Sequence, residues 1–196
     1  MRLLFLILPF LYVAPLPVTK PVADKAAVYA AAKPESGDPI PDDKFPALPE
    51  SINRLFYVQR TPNANTIVYE LNDDKNGKLD PENPIHVYWL KYAERGQKEE
   101  LNYIQRKFAY GLVTRPINND QFDIRFVSYK KFPLTLMRAG DGKYHIFATV
   151  EQKQIILNRI FIKIQGGSFW LPNVVYVELK GADPSTGKEI ITRFKP

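Results

Sequence analysis

From Ser51 onward the apolar residues of this chain recur at every second position, which is the signature of a sheet with one face buried. Phe122, Ile124 and Phe126 alternate with Asp123 and Arg125, and Ile156, Asn158, Ile160, Ile162 and Ile164 alternate with Arg159, Lys163 and Gln165. The pattern predicts strands over Arg54–Arg60, Asn65–Leu71, Ile85–Tyr92, Gln121–Tyr129, Leu134–Arg138, Lys143–Val150, Gln154–Gln165, Val174–Lys180 and Glu189–Phe194. Most are rich in Val, Ile, Tyr, Phe and Thr, which suit a pleated, half-buried surface. Ile85–Tyr92 has bulky residues on both faces and is expected to be a central strand.

The breaks between strands carry turn chemistry. Ala139-Gly140-Asp141-Gly142 is short enough to close a hairpin, and Asp183-Pro184-Ser185-Thr186-Gly187 is a comparable turn before the last strand. Short connections imply antiparallel neighbours, because parallel pairs need long crossovers. One segment has a helical period: within Lys98–Tyr110, Leu101, Ile104 and Phe108 fall on one face, with Glu99 and Glu100 early and Arg106, Lys107 and Gly111 at the end. The expected fold is therefore mainly β: about nine antiparallel strands, closed as a barrel or folded as a two-layer sandwich, with one covering amphipathic helix.

The first 50 residues differ in kind. Met1 and Arg2 precede an apolar run from Leu3 to Ala14, too short for a membrane span of roughly 20 residues and apt for a secretory signal. Residues 1–18 are read as a signal peptide, with an uncleaved N-terminal anchor as the alternative, and the protein as exported, periplasmic or secreted. Eight prolines lie between Pro15 and Pro49, so residues 19–50 read as a Pro-rich, disordered tether to a single β-rich domain at 51–196. Of the 27 basic and 21 acidic groups, 22 and 15 belong to residues 51–196, so the net positive charge sits on the domain.

Most catalytic chemistries lack their residues. With no cysteine there is no disulfide, thiolate metal site, thiol nucleophile or N-terminal lipid cysteine. No Gly-x-Ser-x-Gly elbow, Ser-x-x-Lys motif or glycine-rich phosphate cradle is present, and Gly166-Gly167-Ser168 follows a strand without opening a helix. Asn72–Asn83 imitates a calcium loop at positions 1, 3, 5, 6 and 9 but has Asn83 where a bidentate glutamate belongs. His86 and His145 would need Asp123 or Glu70 beside them to make a metal site, and no local spacing supports that. No metal and no cofactor is expected. The basic residues are dispersed, so nucleic acid is not expected as a partner; anionic lipid, envelope polysaccharide or an acidic small molecule suits an exported basic surface better, and a merely solvated basic surface is the simplest reading.

What remains is an aromatic set. His86, Tyr88, Leu90 and Tyr92 share one face of their strand, opposite Ile85, Val87 and Trp89. Tyrosines with a few charges in a concavity make a small-molecule or sugar site.

Three segments, LFYVQRTPNANTIVYE, NPIHVYWLKYAERGQKEELNYIQRKFAYG and VVYVELKGADPSTGKEI, resemble an uncharacterised domain-of-unknown-function family over most of residues 53–194. Its members are mainly small exported bacterial proteins. The resemblance implies no catalytic residue; it places Arg60, Asn65, Tyr88, Trp89, Tyr110 and Glu178 in the family's shared pattern. The ligand-binding candidates are thus Arg60, Asn65, His86, Tyr88, Tyr92, Tyr110 and Glu178. The expected function is a non-catalytic binding domain for a small or sugar-like ligand. An envelope interaction or structural module is the alternative, and an uncharacterised hydrolase the third.

Overall fold

The alternation becomes sheet. A computed structural model describes residues 45–73, 78–168 and 171–196, and these form eleven strands of one curled, mixed sheet with the shape of a half-barrel. The signal-peptide reading, the tether as far as residue 44 and the centre of the calcium-like loop lie outside the described residues. The strands are β1 (Arg54–Arg60), β2 (Thr66–Leu71), β3 (Ile85–Lys91), β4 (Gln97–Glu100), β5 (Leu112–Asn118) and β6 (Gln121–Phe126). They continue as β7 (Pro133–Arg138), β8 (Tyr144–Val150), β9 (Lys153–Gly167), β10 (Pro172–Ala182) and β11 (Glu189–Phe194). Among the described residues no helix is long and apolar enough to cross a membrane.

Two antiparallel meanders make this sheet. One runs β1–β2–β3–β4 and the other β5 through β11, and they join where β1 lies beside β9. That join is parallel, Tyr57 to Arg60 pairing with Arg159 to Ile162, so the sheet is not wholly antiparallel as the short turns implied. The turns report only on sequence neighbours; β1 and β9 are distant in the chain, and their relative sense is set by packing. Thr61 continues the ladder by side chain, its hydroxyl donating to Ile164 O at 2.9 Å and accepting from Ile164 N–H at 2.8 Å.

β9 is the hub. Along one edge it pairs first with β8, through Lys153–Ile156, and then with β1, while its other edge carries β10. Between the two partners the register slips by one residue: Arg159 faces Lys180, but Leu157 faces Gly181. Asn158 is the extra residue and is exposed. A bulge of this kind bends a strand and re-aims the side chains beyond it. It also moves the buried face from Ile155 and Leu157 to Ile160 and Ile162, so Ile156 and Asn158 do not share the core side that strict alternation assigned them. Gly181 sits where a β-carbon would lie 2.4 Å from Ile156 O, so no larger residue fits beside the bulge.

The bend turns the two meanders into arms that face one another across the core. Phe56, Val58, Ile67, Tyr69, Val87 and Trp89 come from one arm, Phe122, Ile124, Leu134, Leu136, Ile146 and Ala148 from the other. Phe56 stacks on Tyr69 at 4.3 Å, and both meet the edge of Phe126 across the gap at 6.1 and 5.9 Å. Burying side chains of this size contributes about 1.5–3 kcal/mol each, before the entropy cost of ordering the chain.

Three local readings change. The segment 98–110 is not a covering helix: β4 takes its start as a charged edge strand, with Tyr88 opposite Glu100 and Leu90 opposite Lys98. Only a short helical turn follows, ending in a π turn over Gln105–Ala109. Leu101 is buried as expected, but Ile104 and Phe108 are 49% and 55% exposed. β5 is the second added strand; its Pro116 weakens the strand signal and is accommodated by an irregularity in the register with β6 on this outermost strand. β3 is buried on both faces as expected, yet it stands one strand in from β4 and not at the centre. Its outer face meets the end of the stretch read as tether, where Leu48 packs on Val68, Tyr88 and Leu90; farther along the sheet Phe45 meets Phe161 of β9 edge-on at 5.6 Å.

Candidate functional site

Where the arms diverge from β9 and β10, the half-barrel leaves a cavity of about 460 Å³. Its walls are Val58 of β1, Ile160, Ile162 and Ile164 of β9, and Val174, Val177 and Leu179 of β10. Phe126 and Phe132 from the opposite arm and Phe194 of β11 complete the apolar lining. Each strand contributes through its core-facing positions, so the period that builds the core also builds the cavity. The short turn forms the solvent side, where half-exposed Ile104 and Phe108 line the opening.

That turn is fixed by a reciprocal cap. Asn102 Oδ1 accepts from Gln105 N–H at 2.9 Å, and Gln105 Oε1 accepts from Asn102 N–H at 3.0 Å. Tyr110 N–H then donates to Gln105 O, the five-residue step that widens the last turn. Gly111 ends it, because a β-carbon there would lie 1.9 Å from Arg106 O. Asn102-x-x-Gln105 was the missed signal: it marks the helix start after β4 and leaves 97–100 free to pair as a strand.

Few polar groups enter the cavity. Tyr69 donates its hydroxyl to Tyr110 O at 2.9 Å, and Ser128 donates to Ala109 O at 2.6 Å, so both are spent on holding the turn. Burial pushes the Tyr69 hydroxyl well above its ordinary pKa. The Tyr110 ring packs edge-on against Trp89 at 5.0 Å. Burial raises the pKa of the Tyr110 hydroxyl, and the Arg60 cation opposes that rise. Arg60, at the end of β1, places its guanidinium 5.7 Å from the Tyr110 ring, and its Nε is buried with no hydrogen-bond partner among the described residues.

A family model matches residues 56–193, from β1 through β11. The chain belongs to the family of the domain of unknown function DUF4833. Neither a curated protein nor a solved structure matches it.

Of the seven candidates, the DUF4833 fold brings only Arg60 and Tyr110 to the cavity. His86, Tyr88 and Tyr92 lie on the outer face of the first arm. There His86 Nε2 meets Glu100 Oε1 at 2.8 Å, Lys98 Nζ stands 3.7 Å over the Tyr88 ring, and the Tyr92 hydroxyl donates to Ala47 O at 2.9 Å. The Tyr88 hydroxyl is pushed far up by burial and by its hydrogen bond to Glu70. Asn65 is at the β1–β2 connection, its Oδ1 accepting from Ala93 N–H at 2.9 Å. Glu178 faces outward from β10, buried, and accepts from Arg193 Nε at 2.8 Å.

The other ligand-like groupings are engaged locally. Asp80 Oδ1 accepts from the N–H groups of Glu82 and Asn83, and Asp73 Oδ1 accepts from Asn53 Nδ2. His145 Nε2 lies 2.9 Å from Asp141 Oδ2, and Asp123 is taken by Arg125. Among the described residues no group of three or more His, Cys, Asp or Glu side chains is placed to hold a metal ion. The apolar walls of the cavity went unread for a simple reason: Val174, Val177 and Ile162 have the same pattern whether they face a packed core or an open volume.

Proposed function

We propose that this is an exported, non-catalytic binding domain that takes one small, largely apolar molecule into the cavity between its arms. The single observation that carries the reading is the cavity itself, about 460 Å³ and walled by side chains of β1, β9, β10 and the facing arm. That volume is within the usual range for ligand pockets, roughly 300–1,000 Å³, and concave apolar walls with few polar groups are their common composition. Such walls favour an aliphatic or aromatic molecule over a sugar, whose hydroxyls would lose their water partners without replacement. Export rests on residues 1–18 of the sequence, and envelope association on the basic surface of residues 51–196.

The test is titration of the full chain with the neutral fluorophore N-phenyl-1-naphthylamine. Saturable one-to-one binding with a blue shift is expected, and Val174→Trp, which fills the cavity, should abolish it. Tyr88→Phe, on the other face of the sheet, should leave it intact. Absence of saturable binding, or binding that survives Val174→Trp and falls with Tyr88→Phe, would overturn the reading.

A further inference from the structure

We infer that the cavity takes a single-tailed anionic amphiphile, its aliphatic chain against β9 and β10 and its carboxylate or phosphate head at the Arg60 guanidinium. This rests on the cavity being a binding site, and adds the chemical class of what enters it.

The first support is the state of Arg60. A guanidinium stays charged at any physiological pH, and a cation removed from water is costly unless a counter-charge or a set of acceptors replaces the solvent. Arg60 lines the cavity, its Nε is buried without an acceptor, and no carboxylate among the described residues stands within ion-pair distance of it. Four of the other described arginines have a carboxylate partner. Arg193 meets Glu178 at 2.8 Å, Arg125 meets Asp123 at 2.9 Å, and Arg106 and Arg138 each have a carboxylate within 4 Å. A half-buried arginine left over in an apolar cavity matches an anion brought by a ligand, which its planar fork can bind through two parallel hydrogen bonds.

The second support is shape and volume. At roughly 30 Å³ for a water-sized group, 460 Å³ accommodates about fifteen non-hydrogen atoms. A twelve-carbon chain with its head group is of that size. Arg60 is at one end of β1, beside Tyr110, while Val174, Val177 and Phe194 supply apolar wall along β10 and β11. Half-exposed Ile104 and Phe108 at the opening would cover part of the chain.

The experiment is calorimetric titration of the full chain with dodecanoate, dodecyl phosphate and dodecanol, each below its micellar concentration, for the wild type and Arg60→Gln. The wild type is expected to bind at least one of the two anions about tenfold or more tighter than dodecanol, the scale of a charge-assisted contact. Whichever head binds tighter identifies the source as a carboxylic acid or a phosphate monoester. Arg60→Gln should erase the preference while keeping dodecanol affinity and the thermal unfolding midpoint, which separates a lost contact from a lost fold. Equal binding of anions and alcohol by the wild type would overturn this inference and leave the apolar-ligand reading standing. Failure of all three to bind would overturn this inference, while the naphthylamine titration decides the apolar-ligand reading separately.

Discussion

β1, β9, β10 and β11 present two faces that treat charge in opposite ways. On the outer face Arg159, Glu178 and Arg193 are all buried, at 2%, 1% and 7% exposure. Glu178 pairs with Arg193, whose guanidinium lies 4.7 Å from the Tyr176 ring, and Arg159 stands over Phe161 and Phe45. On the inner face the same strands show aliphatic residues and one guanidinium, Arg60, whose Nε has no acceptor among the described residues. The alternation of the strand makes this possible, since Arg159 and Ile160, or Glu178 and Leu179, are neighbours in sequence and on opposite sides of the sheet. Glu178 and Arg193, buried together as a pair, tie β10 to β11; a cation held against apolar walls with no carboxylate among the described residues is suited to a charge from outside.

The largest test of that contrast is Glu178→Ala. It leaves Arg193 buried without its carboxylate, and breaking such a pair costs about 3–5 kcal/mol. Denaturant unfolding should show the loss, and a change under about 1 kcal/mol would mean the outer cluster is solvated and the contrast false. Phe45→Ala should cost less, about 1–3 kcal/mol, since it removes a partly buried ring, its edge contact with Phe161 and the cover over Arg159. An unchanged midpoint would show that residues 45–50 do not hold to the sheet.

The inner face should respond in function more than in stability. Phe108→Ala, at 55% exposure, should cost under about 1 kcal/mol yet weaken naphthylamine binding, because it removes part of the opening's apolar lining. A loss of about 3 kcal/mol would restore a covering, core-packed helix. Arg60→Gln should change stability by no more than about 1 kcal/mol, because its Nε has no protein acceptor to orphan. A loss well beyond that would give Arg60 a structural partner and place it with the outer arginines.

The smallest effect belongs to a carboxylate on neither face. Asp183 accepts from Ser185 Oγ and from the N–H groups of Ser185 and Thr186, and these bonds lower its pKa to about 2. A lowered carboxyl contributes stability that is complete above the unfolded value of about 4 and is lost as pH falls toward 2. The gap between wild type and Asp183→Asn in unfolding midpoint should therefore be small at neutral pH and close as pH falls from about 4 to 2. A gap independent of pH across that window would remove the carboxylate from the turn's stability.

How far the sequence reaches can be traced residue by residue. The face-by-face assignment of β3 is legible, with Val87 and Trp89 in the main core and Tyr88 and Leu90 on the other side. So are the hairpin at Ala139–Lys143 and the turn at Asp183–Gly187, whose backbone bonds close at 2.9 and 2.8 Å. These depend on residues two to five apart, and the chemistry of such neighbours is written in their order. Arg60 enters through the resemblance alone and Tyr110 through the resemblance and its place at the end of the expected helix, and the sequence has no means of separating them from Tyr88 or Glu178.

Local pattern determined that this chain makes strands, where most of them turn, and which residues of most strands share a face. Tertiary structure alone decided that β1 lies parallel to β9, that Asn158 bulges and shifts the buried face, and that Glu178 meets Arg193 while Arg60 meets no carboxylate among the described residues. The physical reason is common to all three: each depends on which distant segments pack together. Only packing sets the distance between two charges or the volume left between two apolar walls.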